Sequence, residues 1–162
     1  MAGPAPARRA VAAAPRRAGF RQRGRGVIPG ASGPCPCGGV PEGVPLSACC
    51  GPYLAGESWP PTPEAVMRSR YTAYVVRDED HLFRTWHPTT RPAEVEVDPS
   101  LTWTGLDVLE AGGNDDEGIV EFAAHWTSGE GAVRQRGAVR ERSRFTRRAG
   151  RWFYLDAVRS GD

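Results

Sequence analysis

The spacing of apolar positions changes twice along the chain. Through residues 1–33 the only large apolar side chains are Phe20, Val27 and Ile28. That is too little to offset the entropy of ordering a segment of Ala, Pro, Gly and Arg, so a disordered extension is expected there. Residues 51–61 are punctuated by Gly and Pro and read as a linker. At Thr62-Pro63-Glu64 a helix begins: Thr62 caps the open amides, Pro63 suits the first turn, and Glu64 complements the positive end of the dipole. The helix runs to about Arg77, with Val66, Met67, Ala73 and Tyr74 on one face. Arg70 sits in the middle of that face, whereas Arg68 lies round the side. A second short helix is expected over Asp80 to Trp86, ended by His87-Pro88.

From Leu101 the period becomes two and predicts four strands: Leu101 to Leu109, Gly118 to Thr127, Ala132 to Arg147, and Arg151 to Val158. The turn-forming Gly112-Gly113-Asn114-Asp115 separates the first pair. On the second strand Val120, Phe122, Ala124 and Trp126 line one face. On the third, Arg140, Arg142 and Arg144 point one way, and Val139, Glu141, Ser143 and Phe145 the other. Asp156 shares strand parity with Trp152 and Tyr154. Helices followed by an antiparallel meander define an α+β domain over residues 62–159, helices covering one face of a curved sheet.

Charge divides the chain differently. The formal net charge is +2, yet residues 1–34 hold seven arginines and no acid, leaving 14 arginines against 19 acids in the remainder, a net of −5. A nucleic-acid contact would therefore rest on the basic tail alone, which also has the look of a targeting peptide or a solvated extension. No apolar run approaches the length needed to cross a bilayer, so no membrane partner is expected and the cytoplasm is the expected compartment.

The clearest chemistry lies before the helices. All four cysteines, Cys35, Cys37, Cys49 and Cys50, fall within residues 34–54. Thiolates packed so densely suggest one tetrahedral structural Zn²⁺ site, although the Cys35/Cys37 spacing is tighter than usual. Local disulfides are the alternative, hampered by the strain of bridging neighbours.

Pro34-Cys35-Pro36-Cys37-Gly38 followed by Cys49-Cys50 resembles the SEC-C zinc knuckle, also found at the C-terminal tail of the preprotein translocase motor. Val66-Met67-Arg68-Ser69-Arg70-Tyr71, Thr85-Trp86-His87-Pro88, Trp103-Thr104-Gly105-Leu106, Glu141-Arg142-Ser143-Arg144-Phe145 and Arg151-Trp152-Phe153-Tyr154-Leu155-Asp156 resemble the YchJ-like family of uncharacterised bacterial proteins. The resemblance implies a cone-shaped fold similar to nuclear transport factor two, preceded by the knuckle, and a contact with a protein or the ribosome made through that knuckle. The loop between the cysteine pairs is longer and richer in proline than in the translocase tail.

Several side chains are candidates for function. Arg70 and Glu141 are expected to form a buried ion pair between helix and sheet. Tyr71, Tyr74, His87 and Trp126 are expected to line a pocket for a small apolar ligand. His87, Asp156 and Glu141 are the candidate acid–base groups if the cone is an enzyme. His81 and His125 read as ordinary helix-surface and strand-face histidines. The leading expectation is a zinc-binding interaction or small-ligand module; the alternative is an enzyme acting in the cone beside a purely structural zinc.

Overall fold

In the computed structural model, which describes residues 30–158, a one-turn helix α1 (Gly51–Leu54) precedes α2 (Pro63–Val76) and α3 (Glu79–Thr85). Four strands follow: β1 (Leu101–Gly113), β2 (Glu117–Ser128), β3 (Gln135–Arg148) and β4 (Arg151–Ala157). They form one antiparallel sheet in the order β1-β2-β3-β4. The architecture is the α+β arrangement that the change of period predicts. The extension expected over residues 1–33 lies outside the described residues up to residue 29.

α2 starts as its sequence dictates, Thr62 Oγ1 accepting from the Ala65 amide at 3.0 Å. It ends at Arg77 in the left-handed conformation. Its buried residues are not confined to one apolar stripe: Ser69, Arg70 and Thr72 are buried alongside Val66, Met67, Tyr71 and Ala73. The helix is enclosed from three sides, by the sheet, by α3 and by the cysteine segment, and the polar side chains face the latter two. The linker expected over residues 51–61 is instead partly helical, and Gly51, Leu54 and Pro60 are buried.

Val120, Phe122 and Ala124 of β2 face the core with Phe145 and Trp152. Trp126 continues this row, its ring lying over Gly137, where an added Cβ would come within 2.8 Å of it. β1 is longer than its period suggests because it is bulged twice, at Thr104 and at Leu109. Each bulge resets the alternation, so that Trp103, Leu106 and Val108 all pack on the core while Leu109 is exposed. β3 begins at Gln135, later than Ala132, because Gly131–Val133 closes a 3₁₀ turn.

The outer face of the sheet carries the arginines of β3 as a charge ladder. Arg140 pairs with Glu121 at 2.6 Å, Arg142 bridges Glu121 and Glu110, and Arg144 pairs with Asp156 at 2.6 Å. The β4 edge is covered by side and main chain: Trp59 Nε1 donates to Trp152 O at 2.9 Å, the His87 amide to Tyr154 O at 2.7 Å, and Thr90 Oγ1 to Leu155 O at 2.6 Å.

Candidate metal centre

The cysteine segment folds by short-range hydrogen bonds that bring its two cysteine pairs together. The Cys35 amide donates to Val44 O at 2.9 Å, Gly38 to Cys35 O at 3.0 Å, and Cys49 to Leu46 O at 3.1 Å. Ordered structure begins before Pro34, since the Leu46 and Ser47 amides donate to the carbonyls of Gly33 and Ala31, each at 2.9 Å. Leu46 is buried and, with Leu54, supplies the segment's apolar contact with the main core. Gly39 is required where it stands: its φ is +84°, and a Cβ would lie 2.7 Å from both Pro41 O and Val44 Cγ1.

All four sulfurs lie within 4.8 Å of one another. Cys37 Sγ is 3.6 Å from Cys49 Sγ and 3.7 Å from Cys50 Sγ, and Cys49 and Cys50 are 3.9 Å apart. A metal at a tetrahedral centre with bonds of about 2.3 Å has sulfur–sulfur edges of about 3.8 Å. The observed edges match that figure, and all four cysteines are free thiols. The donor set therefore fits a metal ion. Cys35, Cys37 and Cys50 are buried, and the Gly39 amide donates to Cys37 Sγ at 3.3 Å, adding a dipole that favours thiolate.

Protonation within the cluster is uneven. Hydrogen bonds from the Cys37 and Cys50 thiols hold Cys35 far below the ordinary thiol range. Burial, reinforced by the neighbouring Cys37, pushes Cys49 up to about 12. Hydrogen bonds with Cys35 and Cys37, together with burial, push Cys50 up as well. Four thiols in mutual contact do not ionise together unless a cation offsets their repulsion, and a dication supplies that charge.

The knuckle is seated on the domain and does not hang from it. Arg68 Nη1 donates to Cys37 O at 2.9 Å, and Cys35 Sγ lies 3.7 Å from the buried Thr72 Oγ1. Arg84 of α3 donates to the carbonyls of Tyr53 and Leu54 at 2.9 and 2.8 Å. Arg84 also donates to Nδ1 of His81, at 3.0 Å. Because a guanidinium only donates, Nδ1 accepts, and the proton sits on Nε2, which donates to Ser69 Oγ at 2.8 Å. His81 is thus buried, correcting the helix-surface assignment. Periodicity placed Arg68, Thr72, Arg84 and His81 off the core stripe, and nothing in it marks them as supports for the cysteines.

The other candidate residues do not converge. Arg70 and Glu141 form no direct ion pair. The Arg70 guanidinium lies between the rings of Trp86 and Tyr154, 5.0 and 4.5 Å from their centroids, and Nη1 donates to Leu82 O and Thr85 Oγ1. Glu141 instead accepts from Ser143 Oγ at 2.7 Å and Tyr154 Oη at 3.0 Å. Asp156 faces away from Trp152 and Tyr154: a register shift after Arg144 reverses the parity of β4 and turns the carboxylate onto the outer face, where Arg144 holds it. His87 lies edge-on to Phe153 at 6.0 Å and contacts Thr89, apart from Tyr71 and Tyr74, which pack on Trp103. The expected pocket of Tyr71, Tyr74, His87 and Trp126 is therefore not formed as one site. His125 lies at the surface, paired with Asp107 at 2.7 Å. A cleft of about 310 Å³ opens elsewhere, lined by Glu79, Asp80, Phe83, Glu94, Val95 and Glu96, and its acidic wall does not suit an apolar ligand.

Fold and site together define an NTF2-like α+β domain with a four-cysteine knuckle on its N-terminal side. Residues 62–157 match the family described as YchJ, middle NTF2-like domain. The chain belongs to the YchJ-like, or UPF0225, family. It is similar to the UPF0225 protein of Deinococcus radiodurans, 48% identical over 125 residues that span 77% of this chain and 88% of that protein. The UPF0225 protein of Streptomyces coelicolor is 42% identical over 126 residues, covering 76% and 93%. Among solved structures, a SEC-C motif containing protein from Rhodopseudomonas palustris superposes with a TM-score of 0.68 at 32% identity, covering 78% of this chain and 98% of that one. One from Psychrobacter arcticus shares the fold, with a TM-score of 0.65 at 23% identity, covering 82% and 87%. No helix among the described residues is long and apolar enough to cross a membrane.

Proposed function

We propose that this chain is a cytoplasmic zinc protein whose metal is structural and whose knuckle is a protein-contact element carried on the NTF2-like domain. Zinc bound by Cys35, Cys37, Cys49 and Cys50 would supply a cross-link between the two halves of a segment too small for its own core. Four thiolates complete a tetrahedron and leave no position for water, which argues for structure over metal catalysis. A reducing compartment keeps such thiols available.

The observation that carries the contact role is the loop between the cysteine pairs. Its base is pinned by the Cys37 and Cys49 sulfurs and closed by Gly43 donating to Gly38 O at 2.9 Å and Val44 to Pro41 O at 3.3 Å. Its tip presents Val40 at 65% exposure. An apolar side chain held outward on a short, tied loop suits insertion into a partner's surface. The enzyme alternative has less support, because His87 and Asp156 lie on different surfaces.

Affinity capture compares the wild type with Val40→Asp and with a Cys49→Ser, Cys50→Ser variant. The proposal expects one protein partner to be kept by the wild type and lost by both variants, while Val40→Asp still carries one zinc. A partner kept undiminished by Val40→Asp would oppose it.

A further inference from the structure

Arg70 is 4% exposed and has no carboxylate on it. Its Nη1 is satisfied by Leu82 O at 2.8 Å and Thr85 Oγ1 at 3.0 Å, but among the described residues Nε and Nη2 have no acceptor. Beside it, Trp86 Nε1 is buried and has no partner either. Stacking between Trp86 and Tyr154 offsets part of the cost of burying the guanidinium. It does not replace the missing acceptors, and burying donors without them is expensive.

The opposite requirement sits one phenol ring away. Tyr154 spans the gap, its ring on Arg70 and its hydroxyl donating to Glu141 Oε1 at 3.0 Å. Ser143 Oγ donates to that same oxygen at 2.7 Å, and Oε2 has no donor among the described residues. Burial and the adjacent Glu141 charge raise the Tyr154 hydroxyl above its ordinary range, so it stays a donor. The inner face thus offers unpaired donors at one end, Arg70 and Trp86, and an unpaired acceptor at the other, Glu141.

We propose that this cluster is a binding site for a neutral amide-type group, an amide, lactam or base edge that presents a carbonyl oxygen beside an N–H. The carbonyl accepts from Arg70 and Trp86, and the N–H donates to Glu141. A carboxylate satisfies Arg70 but meets the like charge of Glu141, which disfavours it. The site is independent of the cysteines and of the role assigned to them.

The test uses the full-length, zinc-loaded protein labelled with ¹⁵N, with the Trp86 indole resonance assigned by its loss in Trp86→Phe. Acetamide, 2-pyrrolidinone and sodium acetate are titrated separately. The proposal expects a saturable shift of the Trp86 indole with acetamide or pyrrolidinone, and binding of acetate at least about tenfold weaker. In Glu141→Gln the preference should reverse toward acetate, because removing the acid's charge leaves Arg70 unopposed. Two outcomes would overturn it: no probe giving a saturable shift, as when water alone fills the site, or acetate binding the wild type as tightly as the amides.

Discussion

Arg68 joins the two parts of the molecule: its Nη1 donates to the carbonyl oxygen of Cys37 at 2.9 Å while its Nε holds Glu64 one helical turn back at 2.8 Å. One side chain of α2 thus fixes a metal-ligating residue against the NTF2-like domain. Replacing it by methionine keeps the aliphatic stem and removes both bonds. The expected cost is about 1.5–3 kcal/mol, the range for hydrogen bonds to charged groups. In Arg68→Met, zinc should pass to a chelator about tenfold faster or more than in the wild type. An unchanged transfer rate would mean that the knuckle holds its shape without the helix.

The buried histidine makes stability depend on pH. Burial, helped by the charges of Arg84 and Arg70, holds His81 at about 3, whereas a histidine in the unfolded chain titrates near 6.5. Between those values the unfolded state binds a proton that the folded state refuses, so stability falls as pH drops through this window and is intact above it. From pH 7 to pH 5 the loss from this group is roughly 2 kcal/mol. Urea unfolding of the zinc-loaded protein at the two pH values should show that difference shrinking in His81→Gln, since acid acts on the thiolates equally in both proteins. Equal losses in the two would contradict a neutral buried His81.

Asp156 is expected to be dispensable. Its pair with Arg144 is exposed to solvent on the outer face, and such pairs contribute about 0–1 kcal/mol. Asp156→Ala should melt within a few degrees of the wild type and leave the Trp86 indole resonance unmoved. A displaced indole resonance would return this carboxylate to the interior.

Gly137→Ala should destabilise. The new methyl would lie 2.8 Å from Trp126 Cζ2 and 3.1 Å from Cε2, and the strand partner cannot move away without breaking the β2–β3 ladder. Overpacking of this kind costs about 1–3 kcal/mol, more than the alanine recovers in backbone entropy. Thermal unfolding followed by tryptophan fluorescence measures it, and an unchanged or raised midpoint would refute the close packing of this ring.

How far the structure could be read from the sequence depends on which signals are local. The α2 start at Thr62-Pro63, the four cysteines and the alternation of β2 depend on neighbouring residues, and each is visible in the chain. Asp156 was placed wrongly because one bulge in the β3–β4 ladder reverses every side chain beyond it, and a bulge leaves no mark in the alternation of β4 itself. His81 was placed wrongly because α3 is covered by both α1 and α2, whereas periodicity assumes that a helix has one buried face. The partner of Arg70 failed for a third reason: Tyr154 stands between it and Glu141, and no spacing rule registers a side chain interposed from another strand.

Native mass spectrometry of the purified full-length protein, set beside a Cys49→Ser, Cys50→Ser variant, tests the metal centre most directly. The sulfur geometry predicts one zinc per wild-type chain, none held by the variant, and four alkylatable thiols once the metal is removed. A folded wild-type chain that carries no metal, or whose cysteines resist alkylation as disulfides, would contradict it.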